Sequence, residues 1–193
     1  MNTPANFEEA MKRLEEITEA MQQSNVMHNW RTLHLMSLDF SLWVTQQKET
    51  LETFLEQHLP KDSPKQLALA MRYAVLNHGK RIRPLLVSAA AKLGNADSLA
   101  KKQRMAAVEL LHSYSLIHDD LPIMDDDNWR HGKASCHIVY GEAVALLAGD
   151  ALQALAFEIL CHPNQLSAEN NMQALKILIQ KAGFSGMVGG QTM

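Results

Sequence analysis

Residues 110–127 read LLHSYSLIHDDLPIMDDD, an apolar helix that runs directly into acid. Five carboxylates, Asp119, Asp120, Asp125, Asp126 and Asp127, fall within nine residues. A helix C-terminus carries partial negative charge and disfavours anions, so this is the electrostatically wrong end for them. Pro122 cannot continue the helix, so the chain must turn and present Asp125–Asp127 near Asp119. Such self-repulsion is tolerated where water solvates it or where a cation does. Mg²⁺ takes oxygen ligands, accepts one or two protein carboxylates, and completes its octahedron with water and substrate phosphate. A solvated acidic loop and a Mg²⁺–phosphate site are both open on residue chemistry, although the apolar flanks argue against simple solvation. The spacing is not that of an EF-hand, which alternates its acids around a central Gly.

Cations stand on both sides of this segment. Upstream, Gly79-Lys80-Arg81-Ile82-Arg83-Pro84 puts three of them in a short loop opening a helix. A helix N-terminus with nearby Lys and Arg suits phosphate, although a basic loop is also commonly just solvated. Downstream, Trp129-Arg130-His131-Gly132-Lys133 follows the acids directly and can equally serve to balance their charge. His112 precedes Asp119 by seven residues, two turns along one helix face, and so looks into the same space as the acids. A satisfied core or surface histidine is the plainer reading. The pairs Cys136-His137 and Cys161-His162 lack zinc-site spacing, and the eleven methionines read as core filler. An acidic Mg²⁺ site, two cationic sites and an apolar helical interior together imply a substrate with a polyanionic phosphate at one end and a hydrocarbon at the other.

The surrounding chain is built for helices. Its 193 residues are 47% apolar and 20% charged with net charge −3, and Leu, Ala, Met, Gln, Glu and Lys dominate over nine Gly and six Pro. The mild acidity argues against a general nucleic-acid or anionic-membrane binder. Two cysteines offer no disulfide framework and suit a reducing, cytoplasmic setting. Residues 1–20 are too charged for a signal peptide, and no apolar run is read as approaching a membrane span. Residues 6–24 form an amphipathic helix, with Asn6 and Glu9 as a capping box and Phe7, Met11, Leu14, Ile17 and Met21 as its stripe. Residues 25–41 fit neither helix nor strand periodicity and read as a junction. Helices follow from about 42 to near Pro60, over 65–77, from Pro84 to Gly94, over 97–119, over 141–161 and over 168–183. The 141–161 helix is apolar on nearly all sides and reads as central in a bundle. The fold class is all-α.

These residues resemble the N-terminal half of the trans-prenyltransferase (polyprenyl synthetase) family, of the bacterial farnesyl diphosphate synthase type. GKRIRP at 79–84 is similar to the family's GKRxRP motif, and LLHSYSLIHDDLPIMDDD to its first aspartate-rich motif. CHIVYGEAVALLAGDAL at 136–152 and GMVGGQ at 186–191 fit in order and spacing, and the resemblance runs from about Met36 to Met193. It implies a truncated isoprenoid-synthase bundle preceded by an amphipathic helix. Asp119 and Asp125 would carry Mg²⁺ on an allylic diphosphate (dimethylallyl or geranyl) with Asp120 in support, and Arg130 would bind that diphosphate. Lys80, Arg83 and His112 would hold isopentenyl diphosphate. His131 stands where the family usually has a second Arg, which weakens that site unless bound diphosphate keeps the ring protonated. Tyr114, five residues before Asp119, resembles the aromatic floor that stops chain growth.

The implied reaction is Mg²⁺-dependent head-to-tail condensation to farnesyl diphosphate in isoprenoid biosynthesis, by a homodimer unless truncation exposes the bundle core. The family's Lys-Thr motif and second aspartate-rich motif do not occur in this sequence, so the isolated chain is expected to condense prenyl diphosphates poorly or not at all. A non-catalytic diphosphate- and Mg²⁺-binding module is the alternative. NFEEAMKRLEEITEAM at 6–21 is similar to the start of the exonuclease VII small subunit, which makes a helical nuclease partner a third reading. Residues 1–35 are accordingly read as an appendage, joined from a neighbouring reading frame, with Met36 the natural start of the synthase-like part.

Overall fold

The computed structural model describes residues 30–77, 79–93 and 97–192, with side chains from Asp39 onward. The helix expected over 6–24 lies outside the described residues. The chain divides into two units between Trp43 and Val44. Of the first, the described part is the beginning of helix α1 (Trp30–His58), where Phe40 stacks on Trp43 with ring centroids 5.8 Å apart. The junction expected over 25–41 is therefore helical from Trp30 on. Leu33, Leu35, Met36 and Leu38 are good helix formers, and extending an existing helix gains one hydrogen bond per residue without a second nucleation. An amphipathic stripe is not needed for that.

The second unit continues with α2 (Lys65–Val75), α3 (Ile82–Leu93) and α4 (Ser98–Asp119). A two-stranded ribbon follows, β1 (Trp129–Arg130) and β2 (Lys133–Ala134), then α5 (Cys136–Tyr140), α6 (Glu142–Cys161), α7 (Ala168–Ala182) and α8 (Met187–Gly190). Asp97 caps α4 by accepting from the Ala100 N–H at 2.7 Å, and Ser167 caps α7 through the Asn170 N–H. The ribbon, α5 and α8 are short elements that the sequence pattern does not announce.

Helix α4 packs most extensively on α6; α2 lies against both, and α3 against α4. Met105, Leu110, Tyr114 and Ile117 of α4 meet Ala145, Ala148, Leu152, Ala156 and Ile159 of α6 in the core, which Leu51 and Leu55 of α1 and Met71 and Val75 of α2 complete. Helix α6, expected to be apolar on nearly all sides and central, packs on several helices but keeps one apolar side open. Its small residues face α4, whereas Leu146 and Leu147 are 45% and 55% exposed. By length and composition alone α6 is also long and apolar enough to cross a membrane, contrary to the reading that no apolar run approaches that length.

The small face of α6 has a steric reason. His118 at the end of α4 lays its ring on α6, with Nε2 3.0 Å from the Leu146 carbonyl and its edge toward Tyr114 at a centroid distance of 5.4 Å. A Cβ on Gly149 would stand 2.2 Å from His118 Nε2. Gly149→Ala should therefore push the ring off the helix and destabilise the protein by about 1–3 kcal/mol, read as a lower urea midpoint at unchanged slope.

Candidate active site

Two charged regions meet along α4. The first begins with the loop before α3. Of the three cations there, Lys80 and Arg81 in the loop and Arg83 in the first turn of α3, Arg81 turns inward with φ +56° and is only 4% exposed. Its guanidinium donates to Glu52 at 2.8 Å, to Glu109 at 2.6 Å and to the Val75 carbonyl at 2.7 Å. Burial works against that charge, but the bonds to Glu52 and Glu109 outweigh it and hold the guanidinium raised above its usual range. Arg81 is thus the anchor of the loop. Lys80 and Arg83 on either side of it line a cavity of about 310 Å³ together with His112 and His131.

His112 takes part as a neutral ring. The Arg83 guanidinium lies 3.1 Å from its Nε2 and can only donate, so Nε2 accepts and Nδ1 carries the proton. Burial first, then the charges of Arg83, His131, Arg81 and Arg130, push the imidazole down to about 4. His131 reaches the cavity from the ribbon. There Trp129 pairs with Ala134 and Arg130 with Lys133, leaving His131-Gly132 as a two-residue turn with φ +53° and +76°. Two successive positive φ values match the right-handed twist of the strands, as in a type I′ hairpin. The Tyr73 hydroxyl donates to the Ala134 carbonyl at 2.7 Å and ties the ribbon to α2.

The second region is the acidic end of α4. The chain turns at Leu121–Met124, and the Asp125 N–H donates to the Asp119 carbonyl at 2.8 Å, as the position of Pro122 leads one to expect. Burial and the nearby Asp125 charge raise the Asp119 carboxyl above its usual range, opposed by a hydrogen bond from Gln191 and by the Arg130 charge. The Gln191 amide donates to Asp119 Oδ1 at 2.5 Å across 72 residues of sequence. Asp120 behaves differently. It is 3% exposed and bonded to Arg130, whose Nε lies 2.9 Å from its Oδ1. Asp127 adds a contact to Arg130 at 3.4 Å. Asp120 therefore positions Arg130 and does not join Asp119 and Asp125.

The structure thus gathers Lys80, Arg83, His112 and His131 around one cavity, and Asp119 with Asp125 at the helix end, with Arg130 and Asp120 paired between them. Tyr114 lies in the core, only 6% exposed, and does not line the cationic cavity. Among the described residues no group of three or more acidic, His or Cys side chains is preformed for a metal ion. Two carboxylates brought together by a backbone bond nevertheless fit Mg²⁺, which needs no more from the protein. Neither spacing nor periodicity marks Gln191; the glycine-rich motif GMVGGQ that carries it is its one signal in the sequence. Cys136 is buried, which pushes its thiol up to about 11 and makes it unreactive.

These features define the class, an all-α protein of the isoprenoid-synthase fold. The geranyltransferase of Legionella pneumophila superposes with a TM-score of 0.76 at 42% identity, over 79% of this chain and 54% of that one. An FPP/GFPP synthase of Zymomonas mobilis superposes with a TM-score of 0.75, also at 42% identity, over 80% and 57%. The chain belongs to the polyprenyl synthetase family, which it matches over residues 64–193. A farnesyl diphosphate synthase of Haemophilus influenzae is 51% identical over 124 residues, 64% of this chain and 42% of that protein. One from Bacillus subtilis is 41% identical over 162 residues, 81% and 54%. The chain spans about half the length of these relatives.

Two measurements test the electrostatics. Removing Arg81 leaves Glu109 buried and unpaired, so Arg81→Ala should destabilise by about 3–5 kcal/mol, whereas Lys80→Ala should change stability by less than about 1 kcal/mol in the same urea titration. An NMR titration should place the midpoint of the His112 ring near 4. Arg83→Ala should move it only part of the way to 6.5, because burial remains. With the folded value below the unfolded one, His112 contributes stability above pH 6.5 that is lost as pH falls toward 4, and His112→Gln should shrink that loss.

Proposed function

We propose that this chain carries the diphosphate- and Mg²⁺-binding side of a cytoplasmic prenyltransferase site of the farnesyl diphosphate synthase type. The carrying observation is the cavity in which Lys80, Arg83, His112 and His131 converge, set two helical turns from Asp119 on the same helix. Lys80 and Arg83 are suited to the diphosphate of isopentenyl diphosphate, since both end in N–H donors and bear permanent charge. Neutral His112 keeps its Nδ1–H for the same ligand while its Nε2 steadies Arg83. Arg130, held by Asp120, faces an allylic diphosphate from the acidic side.

Asp119 and Asp125 are the residues that would hold Mg²⁺. When bound, the ion would neutralise the allylic diphosphate and favour its departure. The overall reaction joins the allylic carbon to the terminal alkene carbon of isopentenyl diphosphate and releases diphosphate and a proton. Repetition gives geranyl and then farnesyl diphosphate. In this reading the synthase-like part begins at about Met36, Tyr114 limits product length, and the chain associates as a homodimer. The family match over 64–193 favours this over the nuclease-partner reading, which rests on residues 6–24.

Calorimetric titration with geranyl diphosphate should show binding that strengthens when Mg²⁺ is added. Asp119→Ala and Asp125→Ala should each abolish the Mg²⁺-dependent increment and spare the rest. Lys80→Ala and Arg83→Ala should each weaken isopentenyl diphosphate by tenfold or more, the loss of a charge-assisted hydrogen bond of about 1.5–3 kcal/mol. Binding of neither ligand, or binding of geranyl diphosphate indifferent to Mg²⁺, would overturn the proposal.

A further inference from the structure

We infer that Gln191 is a positioning residue for Asp119: its side-chain amide fixes the carboxylate in the orientation that receives the metal. The inference rests on the reading of Asp119 and Asp125 as the Mg²⁺ pair and adds a residue to it. The Gln191 Nε2 donates to Asp119 Oδ1 at 2.5 Å. An amide hydrogen bond occupies one lone pair of that oxygen and leaves Oδ2, and the second lone pair of Oδ1, directed elsewhere. Carboxylates that ligate metals are themselves hydrogen-bonded by outer partners, which set their rotamer before the ion arrives. Asp119 needs such a partner more than most. It ends a helix, where the dipole opposes its charge, and Asp125 is folded back onto its backbone.

The chain around Gln191 is shaped to deliver this contact. Gln191 is the residue that closes α8, with its N–H on the Val188 carbonyl at 3.2 Å. Helix α8 doubles back against the end of α7 so closely that a Cβ on Gly186 would stand 1.9 Å from the Lys181 carbonyl oxygen. A Cβ on Gly189 would likewise stand 1.9 Å from the Phe184 carbonyl oxygen. Both clashes are with backbone, which cannot swing aside as a side chain can. Gly186 and Gly189 of GMVGGQ are therefore what allow α8 to fold over and lay the Gln191 side chain on the acidic end of α4. By contrast Val188, on the same helix, is 47% exposed. Its substitution should leave Gln191 where it is.

The test uses Mn²⁺ alone, titrated into the full chain and followed by electron paramagnetic resonance, with no turnover needed. Gln191→Leu keeps the side-chain bulk and removes both amide N–H groups. It should weaken Mn²⁺ binding about tenfold, in the range found when an outer partner of a ligand is lost. Val188→Ala should bind as the wild type does, and the urea midpoints of both variants should stay at the wild-type value, which separates positioning from a general loosening of the fold. In the wild type the Gln191 side-chain amide resonance should also shift when diamagnetic Mg²⁺ is added. If Gln191→Leu binds Mn²⁺ within twofold of wild type while Asp119→Ala loses it, this inference alone is overturned. If Asp119→Ala also binds Mn²⁺ as wild type does, the reading of the acid pair falls and the inference falls with it.

Discussion

Charge repulsion at the C-terminal end of α4 is the constraint that the rest of the structure answers. Two unit charges about 4 Å apart near a protein surface interact by about 4 kcal/mol, and here five carboxylates share one helix end and the turn after it. The answer is unequal. Asp120 and Asp127 are satisfied by Arg130, which the ribbon brings across. Asp119 receives only an uncharged amide, and Asp125 is folded toward it. Repulsion is thus relieved at Asp120 and Asp127 and retained between Asp119 and Asp125. Under the proposed function, that retained pair is where a divalent cation would bridge a polyanion.

The cationic side is divided by the same logic. Three cations occupy the four positions 80–83, where the loop enters α3, yet they do two different things. Arg81 is sunk into Glu52, Glu109 and the Val75 carbonyl, so the loop has a fixed floor. With the floor fixed, Lys80 and Arg83 can stay at the cavity wall without having to satisfy any partner of structural importance except His112. The neutral ring of His112 follows first from its burial and then from that crowding: a further proton would add one more positive charge beside Arg83, His131, Arg81 and Arg130.

Much of this could be read in the residues themselves, for identifiable reasons. Pro122 and the helix dipole dictate the turn that returns Asp125 to Asp119, and helical periodicity puts His112 and Asp119 on one face. Other features could not be read so. In a loop there is no period to show that Arg81 alone points inward. The ribbon at 129–134 escaped notice because its turn begins with His131 at positive φ, where Asn or Asp would be the usual sign. The start of α1 at Trp30 depends on propagation, which leaves no stripe. The Gln191 contact joins residues 72 apart, and nothing local to either end of it announces the other.

One helix carries a residue of each region, His112 of the cationic cavity and Asp119 of the acid pair, and that fixes the separation of these two. Seven residues of α-helix advance by about 10 Å, so His112 and Asp119 stand at that spacing along one face. The spacing can change only if α4 bends. Bending is opposed by the core it forms with α6, where Leu110, Tyr114 and Ile117 are packed against Ala148, Leu152 and their neighbours, and where Gly149 admits the His118 ring at the last turn. The small residues of α6 thus shape the candidate site although they touch none of it. They hold straight the helix that sets the distance from His112 to the acid pair.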